Sequence, residues 1–197
     1  MELLAIRLSP QTGKSLVMSK GIPLISLNNM PRLRSFPPVT NTDATVLILG
    51  SMPGTESLKQ QQYYAHAQNA FWKIMGELVG ARRELPYEER LLKLTAARIA
   101  SWDVLKTCER EGSLDSDIQN ETANNFAAFF KKHPLITHVF FNGAKAEQSF
   151  NKFVLGKQKL PPLTFQRLPS TSPAHAGMRY AEKLKVWKEA MTSALDA

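Results

Sequence analysis

Residues 45–50, Thr45-Val46-Leu47-Ile48-Leu49-Gly50, form a continuous apolar run that ends in a glycine. A run of this kind is typical of a strand that is buried on both faces of a parallel sheet. The turn-forming residues 51–54, Ser51-Met52-Pro53-Gly54, follow it, and a helical pattern then extends from Asn69 to Val79. Strand, loop and helix in this order begin an α/β unit, so this stretch decides the fold class.

The same alternation continues along the rest of the chain. We predict strands at residues 98–105, 137–143 and 163–168, and helices at residues 120–132, 144–153 and 179–195. Alternating strands and helices predict a three-layer α/β/α fold with a four-stranded, mainly parallel sheet. We assign this fold to residues 37–197.

Residues 1–36 have a different character from the rest of the chain. They hold 5 Lys and Arg residues against one acidic residue, and turn-forming residues interrupt their short apolar segments. We therefore expect a basic N-terminal arm that is poorly ordered. Within it, Gly13-Lys14-Ser15 imitates the end of a phosphate-binding loop, but the full pattern needs a glycine where Leu8 stands. A nucleotide-binding protein that uses this segment is an alternative that the pattern does not favour.

The composition narrows the class of protein. Hydrophobic residues make up 43% and charged residues 21% of the 197 positions, which indicates a globular chain. The single cysteine, Cys108, excludes a disulfide framework, a paired-cysteine zinc site and a four-cysteine iron–sulfur cluster. We also find no run near the roughly 18 apolar residues of a membrane span and no signal-peptide core. We therefore expect a cytoplasmic protein with no membrane partner, no metal and no cofactor.

The charge of the chain favours a polyanionic partner. The formal net charge is +8, which suits nucleic acid but does not by itself exclude an acidic membrane. The excess is uneven, because residues 131–197 hold 11 basic and 4 acidic residues, whereas residues 37–130 hold 9 and 12. We expect the positive charge to lie beside the functional site, where it would steer phosphates.

The site itself is expected where the strands end. In an open parallel sheet, ligands bind at the loops that leave the carboxyl ends of the strands. Those loops begin at Gly50, Asp103, Asn142 and Pro169. From the residues alone, Asp103 could stabilise a charge or cap a turn. The serine-rich segment 169–173 could contact phosphates or form a capped turn.

The segment from Gln62 to Trp72 also admits two interpretations. Tyr64 could stack on a flat ring, and the carboxamide of Asn69 could make paired hydrogen bonds to one. Asn69 is equally a good N-cap for the helix that follows it. The bulky residues Phe71 and Trp72 are expected in the core.

Taken together and in order, these motifs resemble the uracil-DNA glycosylase superfamily, and within it the hypoxanthine-DNA glycosylase (DNA-deoxyinosine glycosylase) branch. The resemblance extends from about Phe36 to the last helix. The matching segments are Ile48–Gly54, Ser57-Leu58, Gln62–His66, Asn69–Trp72, Trp102–Leu105, Gly112–Ser116, Phe141–Gly143 and Leu168–Pro173.

The resemblance implies a monofunctional DNA glycosylase of base excision repair. Such an enzyme flips a deaminated base, here hypoxanthine, out of double-stranded or single-stranded DNA and hydrolyses its N-glycosidic bond. The transition state is an oxocarbenium-like sugar with a departing anionic base. The resemblance further implies no cofactor, and we expect a monomer.

The resemblance also assigns roles to individual residues. Asn69 matches the catalytic asparagine, which would place the water or donate to the leaving base. Tyr64 matches the aromatic residue that stacks on the flipped base, and Asp103 is a candidate auxiliary group. The other base-pocket residues are Gly50, Ser51, Met52, Pro53, Gly54, Ser57 and Asn142. The residues that match DNA-binding positions are Ser170, Thr171, Ser172 and His175.

Two departures bear on the substrate. Met52 stands where the mismatch-uracil branch has a catalytic asparagine, and Leu168 stands where the main uracil branch has a histidine that stabilises the leaving base. His175 is a candidate replacement for that histidine. Two alternatives remain, namely a broader glycosylase for uracil or xanthine and a non-catalytic relative that binds damaged DNA. The non-catalytic relative would lack Asn69 or Tyr64, and this chain has both.

Overall fold

The computed structural model of the chain describes residues 32–196. The strands are β1 (Arg32–Arg34), β2 (Val46–Gly50), β3 (Ile99–Asp103), β4 (Leu105–Glu109), β5 (Gln119–Ala123), β6 (His138–Asn142) and β7 (Thr164–Leu168). The helices are α1 (Thr55–Gln60), α2 (Phe71–Val79), α3 (Tyr87–Ala96), α4 (Phe126–Lys132), α5 (Ala144–Phe153) and α6 (Tyr180–Leu195).

The main sheet has four parallel strands in the order β3-β2-β6-β7. Strand β2 lies inside it, with Val46 in register with Ile99 on one side and His138 on the other. All five residues of β2 are buried, as the continuous apolar run predicts. The predicted four-stranded parallel sheet is confirmed.

Helices cover both faces of this sheet. Successive side chains of a strand point to opposite faces, so Leu47 and Leu49 pack into one apolar cluster, with residues of α4 and α5. Val46 and Ile48 pack into the other cluster, with residues of α2 and α6. The predicted three-layer α/β/α arrangement is therefore confirmed.

A second, antiparallel sheet of order β1-β4-β5 was not expected. The strand predicted over residues 98–105 is wrong in extent, because β3 ends at Asp103 and the chain then enters β4. The backbone N–H of Val104 donates to the carbonyl oxygen of Gly50 at 2.9 Å, and this bond directs the chain out of the main sheet.

The helix predicted over residues 120–132 is wrong in its first half. Residues 119–123 form β5, and α4 begins at Phe126. Two asparagines separate them. The side chain of Asn124 donates to the carbonyl oxygens of Asp103 and Leu105, and that of Asn125 caps α4 by accepting from the Ala128 N–H at 2.9 Å. Pairing with β4 thus overrides the local helical pattern.

The predicted arm, residues 1–36, lies mostly outside the described residues. The part that is described includes β1, which pairs with β4, and the boundary at residue 36 stays a prediction. The segment Gly13-Lys14-Ser15 also lies outside the described residues. Among the helices of residues 32–196, none has the length and apolar character needed to cross a membrane.

Candidate active site

A cavity of about 140 Å³ opens at the carboxyl edge of the main sheet. Gly50, Asp103 and Asn142 end three neighbouring strands, and each of them lines it. The predicted site residues that line this cavity are Gly50, Ser51, Met52, Pro53, Gly54, Ser57, Tyr64, Asn69, Asp103, Asn142, Ser170, Thr171 and Ser172. We call it the edge cavity.

Gly50 and Asp103 lie side by side at the floor of the edge cavity. They are register partners at the ends of β2 and β3. A Cβ atom on residue 50 would lie 2.8 Å from Oδ1 of Asp103 and 3.6 Å from the hydroxyl of Tyr64. Glycine is therefore needed here because the neighbouring side chains occupy the space that a Cβ would take.

Asp103 is a buried acid in this cavity, with only 3% of its surface exposed. Its Oδ2 atom has no hydrogen-bond partner within the described part of the chain. Burial raises the pKa of Asp103 to about 7, although the nearby Tyr63 hydroxyl and the Arg110 guanidinium oppose the rise. Asp103 is thus able to carry a proton near neutral pH.

Tyr64 presents an aromatic ring to the same cavity. Its ring stacks on Phe71 with centroids 3.8 Å apart and planes 18° from parallel. Its φ of 55° is uncommon for a residue other than glycine and sets the ring against the start of α2. Burial, with the charge of Asp103 adding to it, raises the pKa of the Tyr64 hydroxyl. The ring is therefore fixed, neutral and half-buried beside the space that a ligand would occupy.

Asn69 both holds the first residue of α2 and lines the edge cavity, although the N-cap of that helix is Ala70 and not Asn69 as the sequence suggested. Its Oδ1 atom accepts a hydrogen bond from the backbone N–H of Phe71 at 3.0 Å. The N–H donor fixes the orientation of the amide, because only the oxygen can accept. Oδ1 therefore holds the start of α2 with one of its two lone pairs, and Nδ2 is the donor that Asn69 can offer to a ligand.

The serine-rich loop is held in place by Asn142. Its Oδ1 accepts from the Thr171 N–H and its Nδ2 donates to the Thr171 hydroxyl, both at 2.8 Å. Gly143 brings the two segments together, since its φ is 100° and a Cβ there would lie 2.8 Å from the Cβ of Ser170. The Thr171 carbonyl also accepts from Ala70 at 2.9 Å, which joins the loop to α2.

This arrangement narrows the predicted DNA contacts of the loop. Thr171 is 1% exposed and its hydroxyl is taken by Asn142, so its side chain positions the loop and is not open to a phosphate. Ser170 and Ser172 remain accessible. His175 is exposed and does not line the edge cavity, so the structure does not place it where a leaving base would be.

A loop that we did not assign to the site closes one side of it. Ser113 and Asp115 line the edge cavity, and Asp115 accepts from the Ser51 hydroxyl at 2.7 Å. The buried Arg110 donates to the Pro53 carbonyl oxygen at 2.6 Å. The motif Gly112–Ser116 was part of the resemblance, but only the folded chain brings it to the first loop.

A wider cavity of about 890 Å³ adjoins the edge cavity and shares Asn69 and residues 171–173 with it. Its lining includes four cationic side chains and two acidic ones. They are Lys73, Arg82, Arg83 and Lys183, with Glu77 and Glu84. Three of the four cations precede residue 131. Part of the positive charge beside the site therefore comes from residues 37–130, although that segment holds more acidic than basic residues.

Within residues 32–196, no three or more His, Cys, Asp or Glu side chains are grouped so that they could hold a metal ion.

Comparison with protein families decides the class. The sequence model of the uracil DNA glycosylase superfamily matches residues 37–195, which include the whole edge cavity. The chain belongs to the uracil DNA glycosylase superfamily. The resemblance predicted from the motifs is thereby confirmed.

Two relatives within this superfamily carry a more specific name. A hypoxanthine DNA glycosylase from Methanosarcina acetivorans is 41% identical over 114 residues, which are 57% of this chain and 72% of that protein. A hypoxanthine DNA glycosylase from Methanosarcina barkeri is 39% identical with the same coverage.

A solved structure supports the superfamily fold. The solution NMR structure of a candidate uracil DNA glycosylase from Methanosarcina acetivorans superposes with a TM-score of 0.65 at 33% identity. The match covers 85% of this chain and all of that one.

For a member of the uracil DNA glycosylase superfamily, the edge cavity offers three kinds of contact to a base. They are an amide donor on Asn69, an aromatic ring on Tyr64 and a buried carboxyl group on Asp103.

Proposed function

We propose that the chain is a monofunctional DNA glycosylase that removes hypoxanthine from deoxyinosine in DNA by hydrolysis. The observation that carries this proposal is the orientation of Asn69, whose Nδ2 donor is left for a ligand inside the edge cavity. The names of the two relatives, at 41% and 39% identity, support hypoxanthine as the base.

The proposed reaction breaks the bond between C1′ of the sugar and N9 of the base. The electron pair of that bond leaves with the base, and the oxygen of a water molecule forms a new bond to C1′. The water then loses a proton and the base gains one. Negative charge grows on the base in the transition state, so a hydrogen bond donated to it accelerates the reaction.

We assign the main donor role to Asn69. Its Oδ1 is engaged by the Phe71 N–H, so it is poorly placed to accept a proton from water. An amide is also a weak base. A hydrogen bond from Nδ2 to the departing base uses the group that remains available, and it leaves the bond from the Phe71 N–H to Oδ1 unchanged.

Asp103 is proposed as a second donor, in its protonated form. Its Oδ2 is buried in the edge cavity with no partner in the described residues, and burial raises its pKa to about 7. A neutral carboxyl group can donate to a carbonyl oxygen or ring nitrogen of the flipped purine. An ionised Asp103 would instead repel the departing anion.

The remaining roles follow the shape of the site. We propose that the Tyr64 ring, covered on one face by Phe71, stacks on the flipped base. Ser170, Ser172 and the exposed His175 would contact the DNA backbone. No lysine is among the described residues that line the edge cavity, which supports hydrolysis without a Schiff-base step. The preference between double-stranded and single-stranded DNA, the monomeric state and the cytoplasmic location stay predictions.

The test is excision from matched oligonucleotides that carry deoxyinosine, deoxyuridine or deoxyxanthosine, followed by alkaline cleavage of the abasic product. We expect deoxyinosine to be processed fastest. Faster removal of uracil or xanthine would favour the broader glycosylase instead. Binding to the same oligonucleotides with no excision of any base would identify a non-catalytic relative.

A further inference from the structure

Arg110 is a buried cation next to the edge cavity. It follows β4 directly and is only 1% exposed. Its Nη2 atom donates to the carbonyl oxygen of Pro53 at 2.6 Å, and its Nε atom donates to that of Gly112 at 3.0 Å. Pro53 lines the edge cavity, whereas Arg110 does not. The guanidinium group therefore lies behind the residues that form the cavity surface.

No carboxylate balances this charge within residues 32–196. The ion pairs in that part of the chain do not include Arg110, and its buried Nη1 atom has no hydrogen-bond partner there. A buried cation without a counter-charge lowers the stability of a fold. The two bonds to carbonyl oxygens require N–H donors but not a positive charge. The charge itself therefore needs an explanation.

The edge cavity supplies a reason for a positive charge at this place. The described residues that line it include three with carboxyl groups, Glu56, Asp103 and Asp115, and no lysine or arginine. The proposed reaction releases the base as an anion into this cavity. Negative charge that grows near acidic groups is disfavoured unless a positive charge lies close by, because a buried site screens charges poorly.

The charge of Arg110 acts on a group inside the cavity. Burial raises the pKa of Asp103, and the charge of Asp115 adds to the rise, whereas the Arg110 guanidinium opposes it. Asp103 lies at the floor of the edge cavity. The positive charge is therefore felt at the cavity floor, although Arg110 does not reach the cavity surface.

We propose that Arg110 is a positioning residue for the excision step. Its hydrogen bond fixes Pro53 in the wall of the edge cavity, and its positive charge, acting through that wall, stabilises the base as it departs as an anion. This role rests on the proposed glycosylase function. It differs from the role of Asn69, because Arg110 makes no contact with the base.

The first test compares Arg110→Gln and Arg110→Lys with Arg98→Gln. Glutamine removes the charge and keeps an N–H donor, whereas lysine keeps the charge. Arg98 is exposed and precedes β3, at the end of the main sheet opposite the cavity, so it is a matched control for the loss of one charge. We measure single-turnover excision of hypoxanthine from a deoxyinosine duplex with enzyme in saturating excess. Arg110→Gln should be slower than Arg98→Gln by roughly tenfold or more, and Arg110→Lys should retain most of the rate.

A second test separates the charge from a loss of packing. Asp115→Asn removes a negative charge from the cavity lining and keeps an oxygen that accepts from Ser51. Added to Arg110→Gln, it should recover part of the lost rate, because it restores part of the charge balance. A packing defect at residue 110 would not be recovered in this way. If thermal unfolding shows that Arg110→Gln does not fold, Asp115→Asn alone should excise faster than the wild type.

Three results would overturn the role of Arg110. They are a folded Arg110→Gln that is as fast as Arg98→Gln, an equal loss in Arg110→Gln and Arg110→Lys, and no gain from Asp115→Asn. If the wild type itself removes no hypoxanthine from the duplex, the proposed function fails instead.

Discussion

The Oδ1 atom of Asn69 accepts a hydrogen bond from the backbone N–H of Phe71 at 3.0 Å, while the same side chain lines the cavity at the carboxyl edge of the sheet. One amide thus serves the start of α2 with its oxygen and the cavity with its nitrogen. Replacement by alanine removes both contacts, and loss of the hydrogen bond to the Phe71 N–H costs about 1 kcal/mol. Replacement by aspartate retains the acceptor for Phe71, removes the Nδ2 donor and adds a carboxylate that would repel a departing anion.

Gly50→Ala should destabilise the protein and impair excision. The added Cβ would lie 2.8 Å from Oδ1 of Asp103, so the buried carboxyl group must move. Overpacking of this kind costs about 1–3 kcal/mol. Gly177→Ala is the control, because a Cβ there meets no atom within 4 Å. Chemical denaturation measures both variants, and equal free energies of unfolding for the two would contradict the close packing at residue 50.

Asp103→Asn should change how stability depends on pH. Burial raises the pKa of Asp103 from 3.8 to about 7, so the folded state holds a proton that the unfolded state releases. In the wild type, this group favours folding below pH 4. Its contribution falls as the pH rises to about 7 and is constant above that value. Asparagine does not titrate, so the variant does not lose this contribution to its stability as the pH rises.

The measurement is the free energy of unfolding of the wild type and Asp103→Asn between pH 4.5 and 8.5. We expect the variant to gain relative to the wild type as the pH rises, by about 3 kcal/mol over this range. Asp43→Asn, at an exposed site, controls for the change in net charge. A difference between wild type and Asp103→Asn that is the same at every pH would mean that Asp103 is ionised in the fold.

The excision rate should depend on pH in the direction opposite to that of a general base, because we propose that Asp103 acts in its protonated form. If the neutral carboxyl group donates to the base, the single-turnover rate of the wild type falls as the pH rises through about 7. Asp103→Asn should lack this fall because its amide remains neutral. A wild-type rate that increases over the same pH range, and is abolished in the variant, would instead assign water activation to the Asp103 carboxylate.

Thr171→Val and Thr171→Ser should separate the hydroxyl of this residue from its methyl group. Valine leaves Nδ2 of Asn142 without its acceptor, which costs about 1–3 kcal/mol at a buried site. Serine retains the acceptor and should cost less. Urea denaturation gives the order of stability, and a serine variant less stable than the valine variant would contradict the role assigned to this hydrogen bond.

The main sheet was predictable from the sequence because its strands are short apolar runs with glycine or polar residues at their ends. The sheet order and register were not predictable in the same way, yet they decide that Gly50 adjoins Asp103. The small sheet was missed because β5, Gln119–Ala123, has no buried residue in its pattern. Its strand conformation depends on pairing with β4, which is a tertiary contact.

The site was predictable as a set of residues but not as a set of contacts. The position of Asn69 before an apolar helix suggested a cap or a catalytic group. The N-cap is instead Ala70, and Asn69 binds the Phe71 N–H and lines the edge cavity. Thr171 gave no sign of burial, because its neighbours Ser170 and Ser172 are equally polar. The approach of Ser113 and Asp115 to the first loop depends on two contacts. Ser51 binds Asp115 from 64 residues away in sequence, and Arg110, which we did not assign to the site, binds the Pro53 carbonyl oxygen.

The most direct measurement is single-turnover excision of hypoxanthine from a deoxyinosine duplex by the wild type and by Asn69→Asp. Thermal unfolding should find both proteins equally stable, because an aspartate carboxylate also accepts from the Phe71 N–H. If Nδ2 stabilises the departing base, the wild type removes hypoxanthine and Asn69→Asp is slower by roughly a hundredfold or more. An equal or faster rate for Asn69→Asp would contradict this account, because the residue would then act on water through an oxygen.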